Sequence, residues 1–189
     1  MGSWSARRPE GVTARDWFRA EILGDDARYE LVDFSTCAFN MYAAVRDHRE
    51  PRWIFGVTVL VQYTRDGEIT WKTIDEFHGP ADDRCPQRVL NALTPLDEYP
   101  VDDHRHNHEW ASDWRRRCQE RQTRLARARK VKPGDIVRFA RPLQFTDGTS
   151  HDTFEFVRRN DFRIPGTYSR YRISNWRETT FTYVDPHAA

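Results

Sequence analysis

Long apolar runs are missing from this 189-residue sequence. No stretch approaches the roughly 18 consecutive apolar residues that a membrane-spanning helix needs, and no apolar signal segment follows the charges near the N-terminus. We therefore expect a cytoplasmic protein without membrane contact. Cysteine is also rare, and the three present are Cys37, Cys85 and Cys118. Their wide, irregular spacing suits neither a disulfide framework nor a paired CxxC zinc site, so the sequence predicts free thiols.

The motifs of the familiar enzyme classes are absent as well. The chain contains no Walker loop, no dinucleotide-binding glycine pattern, no kinase motif set and no HExxH zinc motif. The sequence therefore gives no positive sign of those enzymes, and we predict no bound cofactor. Neither charge is in large excess, because 30 basic residues face 29 acidic ones and the formal net charge is +1. That balance excludes a protein that imitates DNA by its negative charge.

Aromatic residues, in contrast, are plentiful, with seven Trp, seven Tyr and eleven Phe. Large rings bury much area each, so they can close a core in a chain of this length. Apolar residues at helical spacing predict helices over about 13–23, from Pro86 onward, and over about 109–129. Runs rich in aromatic and β-branched residues predict strands, which lie at 29–34, 38–45, 53–63, 69–74, 136–139, 143–145, 154–157, 168–173 and 181–184.

Together these elements predict an α+β fold. We expect a twisted antiparallel sheet packed by helices, followed by a C-terminal small β-barrel or sheet. Asp66-Gly67 predicts a tight turn between two of the strands, because this pair readily supplies positive φ angles. Pro133-Gly134 ends the third helix, so a boundary near residue 132 divides residues 1–132 from a β-rich subdomain, 133–189, that shares the same core.

The segment from Arg115 to Lys132 is the clearest charge feature, with nine basic residues against the single acid Glu120. Three interpretations stay open. The helix is solvated or neutralised by its own protein, since residues 66–103 carry ten acids against three basic residues. Alternatively, it forms a surface for nucleic acid or a nucleoprotein, or a surface for an acidic protein partner. The predicted contact residues on this helix are Arg115, Arg116, Arg117, Arg121, Arg124, Arg127, Arg129 and Lys130.

Rings and guanidinium groups also occur together near the C-terminus, at Tyr168, Tyr171, Trp176 and Arg177. This composition is common at surfaces on which nucleic-acid bases stack and at protein interfaces. Arginine–aromatic stacking inside a core is the simpler explanation.

Three alternating histidines, His104, His106 and His108, form a candidate metal site with flanking carboxylates. On an extended segment their imidazoles would share one side and could bind Zn²⁺, Ni²⁺ or Cu²⁺. On a helix the rings would scatter about the axis, and polar histidine-rich loops are often only exposed to solvent.

Cys85 lies just before Pro86 at a predicted helix start, where the helix dipole could lower the pKa of a thiol. His78 and either Asp75 or Glu76 precede it, so a Cys/His/acid nucleophile is conceivable. The alternative is a buried cysteine that only packs.

Several short runs of the sequence also resemble those of a known protein family. The runs are Lys72-Thr73-Ile74-Asp75-Glu76, Gly79-Pro80, Cys85-Pro86, Leu93-Thr94-Pro95, Trp114-Arg115 with Cys118, Tyr171-Arg172-Ile173 and Trp176-Arg177. Together with the opening Met1-Gly2 and Trp4, these residues resemble an uncharacterised family of unknown-function proteins from bacteriophages, plasmids and other bacterial mobile elements. The resemblance implies a mobile-element accessory protein, including one that interferes with host defence such as CRISPR.

Charge and resemblance together favour a non-enzymatic binding protein. The hypothesis is a host-defence inhibitor of the anti-CRISPR kind that acts on a nucleoprotein or nucleic acid through the basic helix. The alternative is a metal-dependent or Cys-dependent hydrolase that uses the histidines or the Cys85 region.

Overall fold

A computed structural model describes residues 2–5, 8–24, 27–63, 69–79, 82–99 and 107–184. The chain divides into two compact units, Met1–Glu120 and Arg121–Ala189. The observed division lies between residues 120 and 121, whereas the sequence predicts a boundary near residue 132. Each unit contains one antiparallel sheet, and helices complete the fold. The predicted α+β class is confirmed.

The N-terminal unit is built on a five-stranded sheet with the strand order β1-β5-β4-β3-β2. Its strands are β1 (Gly2–Ser5), β2 (Tyr29–Cys37), β3 (Asn40–Asp47), β4 (Ile54–Tyr63) and β5 (Ile69–Asp75). β4 and β5 pair from Val57 with Asp75 to Tyr63 with Ile69. This pairing is the one that the Asp66-Gly67 turn predicts, although the turn itself falls at 64–68, outside the described residues.

One face of this sheet is covered by the N-terminal helical segment. α1 (Ala14–Trp17) continues as a π-helix over Phe18–Leu23. Thr13 caps the start, because its Oγ1 accepts a hydrogen bond from the Asp16 backbone N–H at 3.1 Å. The buried residues of this core come from the helical segment and the strands, and they are Trp17, Phe18, Leu23, Phe34, Met41, Ala43, Val45, Val57, Val59 and Trp71.

The opposite face is covered by α2 (Gln87–Leu90) and by the part of α3 (His108–Ala128) that belongs to this unit, which ends at Glu120. Alternate residues of β3 point to opposite faces, so Tyr42 and Ala44 lie in this second core. They pack there with Cys85, Val89, Leu93, Trp114 and Cys118. Because both faces are covered, residues 41–45 of β3 are all buried. Among the described residues, no helix is both long enough and apolar enough to cross a membrane.

The C-terminal unit contains the second five-stranded sheet, with the order β10-β6-β7-β8-β9. Its strands are β6 (Ile136–Gln144), β7 (Ser150–Arg158), β8 (Asp161–Arg163), β9 (Arg170–Arg172) and β10 (Phe181–Val184). The strands form an open sheet, so the barrel alternative is wrong for the described residues and the sheet alternative is confirmed. Aromatic rings dominate the core of this unit, which contains Phe139, Phe154, Phe156, Phe162, Trp176 and Phe181.

Candidate functional site

Arg115, the first of the predicted contact residues on α3, lies in a mostly buried ion pair with Glu76. Its Nε donates to Glu76 Oε2 at 2.6 Å, its Nη2 to Oε1 at 2.8 Å, and its Nη1 to the Thr94 carbonyl oxygen at 2.6 Å. The Glu76 side chain is fully buried and that of Arg115 is 17% exposed. Burial lowers the pKa of Arg115, but the hydrogen bonds and charge of Glu76 raise that pKa by more. The Arg115 guanidinium is therefore used in contacts within the fold and is not available to an outside ligand.

Two further arginines of α3 pair with acids on the same helix. Arg116 binds Asp113 at 2.5 Å and Glu120 at 2.7 Å, and Arg117 binds Asp113 at 2.8 Å. These are surface pairs at the i,i+3 and i,i+4 spacings of a helix. They agree with the self-neutralising interpretation for this part of α3.

Arginines in the second half of α3 are also partly buried or in contact with other side chains. Arg121 is buried and donates to Glu178 at 2.6 Å. The Nε of Arg124 is buried, with no hydrogen-bond partner among the described residues. Arg127 stacks over the rings of Phe181 and Tyr183.

Arg129 and Lys130, which follow α3, are exposed. Within the described part of the chain neither forms an ion pair. Of the eight predicted contact residues, these two are the most available to an outside anion.

A second group of cations gathers at the turn between β7 and β8. Arg158, Arg159, Asn160, Asp161 and Arg172 line a surface depression of about 580 Å³, and we refer to these five residues as the arginine turn. Arg158 faces Asp161 at 3.6 Å, and Arg172 lies opposite Asp161 in the pairing of β8 with β9. Arg159 and Arg172 are exposed and form no ion pair within the described ranges. Among the described lining residues, three guanidinium groups thus share a depression with one carboxylate.

The backbone of the arginine turn is held from below by Trp176. The Trp176 Nε1 donates to the Arg159 carbonyl oxygen at 2.8 Å, and the indole is 1% exposed. Arg177 stacks on the Trp176 ring, with its Cζ 4.9 Å from the centroid, and donates to the same carbonyl at 3.3 Å. Arg159 itself has a φ of 51°, a left-handed conformation that bulky residues rarely adopt. The turn is therefore fixed by the core rather than by its own sequence preference.

The rings near the C-terminus, which were considered above as a stacking surface, lie in two different environments. Trp176 belongs to the core, as the packing interpretation predicts, and Tyr171 packs against Phe145 with ring centroids 4.2 Å apart. Tyr168 is 99% exposed. It is the ring of this group that remains free for stacking.

The charge of the C-terminal unit extends beyond these residues. Its segment 121–189 carries 14 Lys and Arg against 7 Asp and Glu, whereas segment 1–120 carries 16 against 22. A net charge of +1 for the whole chain conceals this division. The arginine turn was missed by sequence reasoning because residues 158–161 and 172 meet only through strand pairing.

The predicted histidine site is only partly described. His104 and His106 lie outside the described residues. The ring of His108 lies 6.2 Å from those of Phe77 and Tyr99, and its Nε2 is buried without a hydrogen-bond partner among the described residues. In the described part of the chain, no three His, Cys, Asp or Glu side chains are grouped so as to hold a metal ion.

Cys85 is a buried packing residue. It is fully buried beside Cys118, and burial raises the pKa of its thiol far above the usual value. Burial also raises the pKa of Cys118 to about 12. His78 pairs with Asp75, whose Oδ1 lies 2.6 Å from His78 Nδ1, so the histidine and acid of that hypothesis do meet. A nucleophilic Cys85 would need a thiolate, which the raised pKa disfavours. The burial of Cys85 therefore supports the interpretation that this residue only packs.

The comparisons with known proteins give one match. Residues 105–176 match a family model described as a domain of unknown function (DUF6927). The matched segment covers less than half of the chain, includes α3 and the arginine turn, and ends at Trp176. No curated protein and no solved structure matches the chain.

Proposed function

We propose that this protein is a non-enzymatic nucleic-acid-binding protein whose contact surface is the arginine turn of the basic C-terminal unit. The observation that carries the proposal is the set of three exposed guanidinium groups, Arg158, Arg159 and Arg172, around one depression with a single carboxylate. Planar guanidinium groups suit phosphate oxygens because they donate two parallel hydrogen bonds. Such contacts supply most of the affinity that does not depend on base sequence.

The position of these arginines on the sheet supports the same function. Phe162 of β8 is buried, so its neighbours Asp161 and Arg163 lie on the outer face. Arg170 and Arg172 of β9 pair with them and share that face. Arg163 is neutralised by Glu155, which leaves Arg170 and Arg172 as the outward cations of this edge.

An exposed aromatic ring lies close in sequence to those cations. Tyr168 precedes β9 by two residues and is 99% exposed. A ring beside phosphate-binding arginines provides a platform on which an unpaired base can stack. We therefore expect single strands to bind more tightly than duplexes of the same length.

The basic helix has a smaller part in this proposal than the sequence predicts. Arg115 and Arg121 are held in ion pairs with Glu76 and Glu178, and they are not available to phosphate. Arg129 and Lys130 at its end extend the basic surface of the C-terminal unit. A role against a host-defence nucleoprotein stays a prediction that rests on charge and on the sequence resemblance, and an origin in a mobile element stays a prediction that rests on the resemblance alone.

The test is a binding titration with labelled single- and double-stranded DNA and RNA, followed by fluorescence anisotropy at low salt. The variant combines Arg158→Gln, Arg159→Asn and Arg172→Gln, where asparagine tolerates the positive φ of position 159. Losing three charge-assisted contacts should weaken binding about tenfold or more.

The matched control removes three exposed arginines of the N-terminal unit, through Arg15→Gln, Arg19→Gln and Arg49→Gln. The net charge changes equally in both variants, so only a local site distinguishes them. Equal losses in both variants would show that net charge alone acts, and the proposed site would be wrong. Absence of binding by the wild type would leave an acidic protein surface as the partner to test.

A further inference from the structure

The C-terminal unit contains a further pocket, of about 340 Å³, beyond the arginine turn along β8. It is lined by residues 150–153 of β7, by residues 164–165 after β8 and by Pro142, and we refer to it as the hairpin pocket. Three residues along the chain from Asp161 of the arginine turn to Ile164 of this pocket correspond to about 10 Å of extended strand. Ligand pockets commonly measure about 300–1,000 Å³, so this one suits a single ring system.

Ring-bearing side chains form part of the lining of the hairpin pocket. They are the imidazole of His151 and the rings of Pro142 and Pro165. The His151 ring packs on the core, because its centroid lies 5.6 Å from that of Tyr171 and 6.3 Å from that of Phe154. Histidine is among the side chains on which unpaired bases stack. The pocket can therefore take a planar base against a ring that is already in place.

Asp152 supplies the one acidic group among the described lining residues of this pocket. Thr153 Oγ1 donates to Asp152 Oδ1 at 2.7 Å and accepts from Arg138 Nε at 3.1 Å, so the carboxylate is oriented. Asp152 Oδ2 lies 3.9 Å from Arg138 Nε, which is too far for a hydrogen bond. An ionised carboxylate has about four lone-pair sites. Both oxygens therefore keep acceptor capacity, and the Asp152 side chain is 44% exposed.

A carboxylate distinguishes unpaired bases by their hydrogen-bonding edges. Guanine presents two donors side by side, its N1–H and its 2-amino group, and these match the two oxygens of a carboxylate. Adenine and cytosine place a ring acceptor beside their amino group, and thymine and uracil place a carbonyl on each side of their single N–H. Those acceptors would face the carboxylate and repel it. Guanine is therefore the base that Asp152 favours.

The turn after β8 connects the hairpin pocket with the exposed ring of Tyr168. Ile164 and Pro165 line the pocket, and Tyr168 follows in the same turn with an exposure of 99%. A hydrogen bond from the Ile164 N–H to the Ser169 carbonyl oxygen, at 3.2 Å, closes this turn. A single strand that contacts the arginine turn would thus meet a stacking ring and a base pocket on the same sheet.

We propose that the hairpin pocket binds one unpaired guanine of the single strand whose phosphates contact the arginine turn. The inference rests on the proposed function, because it needs that strand to be bound. Phosphate contacts carry no direct sequence information. The pocket would add a base preference to a surface that otherwise binds any sequence.

The test compares short oligothymidylates that carry one central guanine, adenine, cytosine or inosine, with fluorescence anisotropy of the full chain as the readout. Guanine should bind about fivefold or more tightly than adenine, cytosine or the unsubstituted oligothymidylate, which is the discrimination expected of a bidentate pair. Inosine keeps the N1–H but lacks the 2-amino donor, so it should bind about threefold more weakly than guanine. Equal binding of guanine and adenine, or of guanine and inosine, would overturn the proposal.

A substitution locates the preference. Asp152→Asn replaces one acceptor by a donor, so the ratio of guanine to oligothymidylate affinity should fall about fivefold or more. A change in net charge affects both oligonucleotides equally and leaves this ratio unchanged. The control Asp97→Asn, at an exposed aspartate outside the hairpin pocket, changes the charge by the same amount and should keep the ratio. An unchanged ratio in Asp152→Asn would contradict the assignment.

The outcomes separate this inference from the proposed function. If the arginine-turn variant weakens every oligonucleotide and the wild type shows no guanine preference, the proposed function stands and the guanine pocket is wrong. If no oligonucleotide binds at low salt, both are wrong. Guanosine monophosphate lacks the other phosphate contacts and should compete only above about 0.1 mM. Competition below that concentration would assign the pocket to a free nucleotide instead.

Discussion

The ion pair between Arg115 and Glu76 gives a prediction whose size follows from the structure. The Glu76 carboxylate is fully buried and accepts two hydrogen bonds from Arg115 and one from the Gly56 backbone N–H at 2.8 Å. In Arg115→Met that carboxylate keeps, among the donors in the described residues, only the Gly56 N–H, and it loses its countercharge. Removing one partner of a buried pair costs about 3–5 kcal/mol, because an uncompensated charge stays buried. We expect the free energy of unfolding to fall by that amount.

The double variant Glu76→Gln with Arg115→Met separates charge from packing. It removes both charges, so it should be more stable than Arg115→Met alone, and the two effects should not add. Urea unfolding followed by circular dichroism measures each value. Arg116→Met is the matched control on the same helix, since Arg116 is 57% exposed, and we expect no resolvable shift in its unfolding midpoint.

The same variants also bear on function. Because Arg115 is committed to the fold, the folded fraction of Arg115→Met should bind nucleic acid as tightly as the wild type. A loss of stability below about 1 kcal/mol, or singles that add to the double, would refute the reasoning about the buried pair. Weakened nucleic-acid binding by fully folded Arg115→Met would restore the basic helix as the contact surface.

Two further predictions concern the core of the N-terminal unit. Burial raises the pKa of Cys85 and Cys118, so both thiols stay protonated at pH 8. Peptide mapping after brief iodoacetamide treatment should therefore find both cysteines unmodified until urea unfolds the chain. Rapid labelling of Cys85 in the native protein would instead support a nucleophilic cysteine. Gly56→Ala should cost about 1–3 kcal/mol in thermal unfolding, since a Cβ would meet the Trp114 ring at 2.8 Å, while Gly79→Ala, with an ordinary 3.5 Å contact, should be nearly neutral. Equal midpoints for the two glycine variants would contradict that close approach.

Local signals in the sequence predicted much of the fold. The helix expected over about 109–129 is observed at His108–Ala128, and the helical segment expected over about 13–23 is observed at Ala14–Leu23 after the cap residue Thr13. Alternation could not show that both faces of β3 are covered, because the whole run 41–45 is buried and its periodicity is lost. The open or closed form of the C-terminal sheet depends on pairing between strands, which local patterns do not encode.

The site was harder to predict than the fold. A run of arginines on α3 looks like a cationic face, but the partners of Arg115 and Arg121 lie 39 and 57 residues away in sequence. The arginine turn needs β7, β8 and β9 in register before position 172 meets positions 158–161. A pocket of the N-terminal unit lined by Tyr29, Trp53 and Tyr99, among others, likewise gathers residues that are far apart in sequence, whereas the His78–Asp75 pair is only three residues apart.

The most direct test of nucleic-acid binding by the arginine turn is the salt dependence of binding to a single-stranded oligonucleotide. Each phosphate contact contributes about −0.7 to the slope of log K against log salt for single strands. The triple variant at 158, 159 and 172 should therefore have a slope that is less negative than that of the wild type by about 2, whereas the control at 15, 19 and 49 should keep the wild-type slope. Identical slopes for wild type and triple variant, or no binding at low salt, would contradict nucleic-acid binding by the arginine turn.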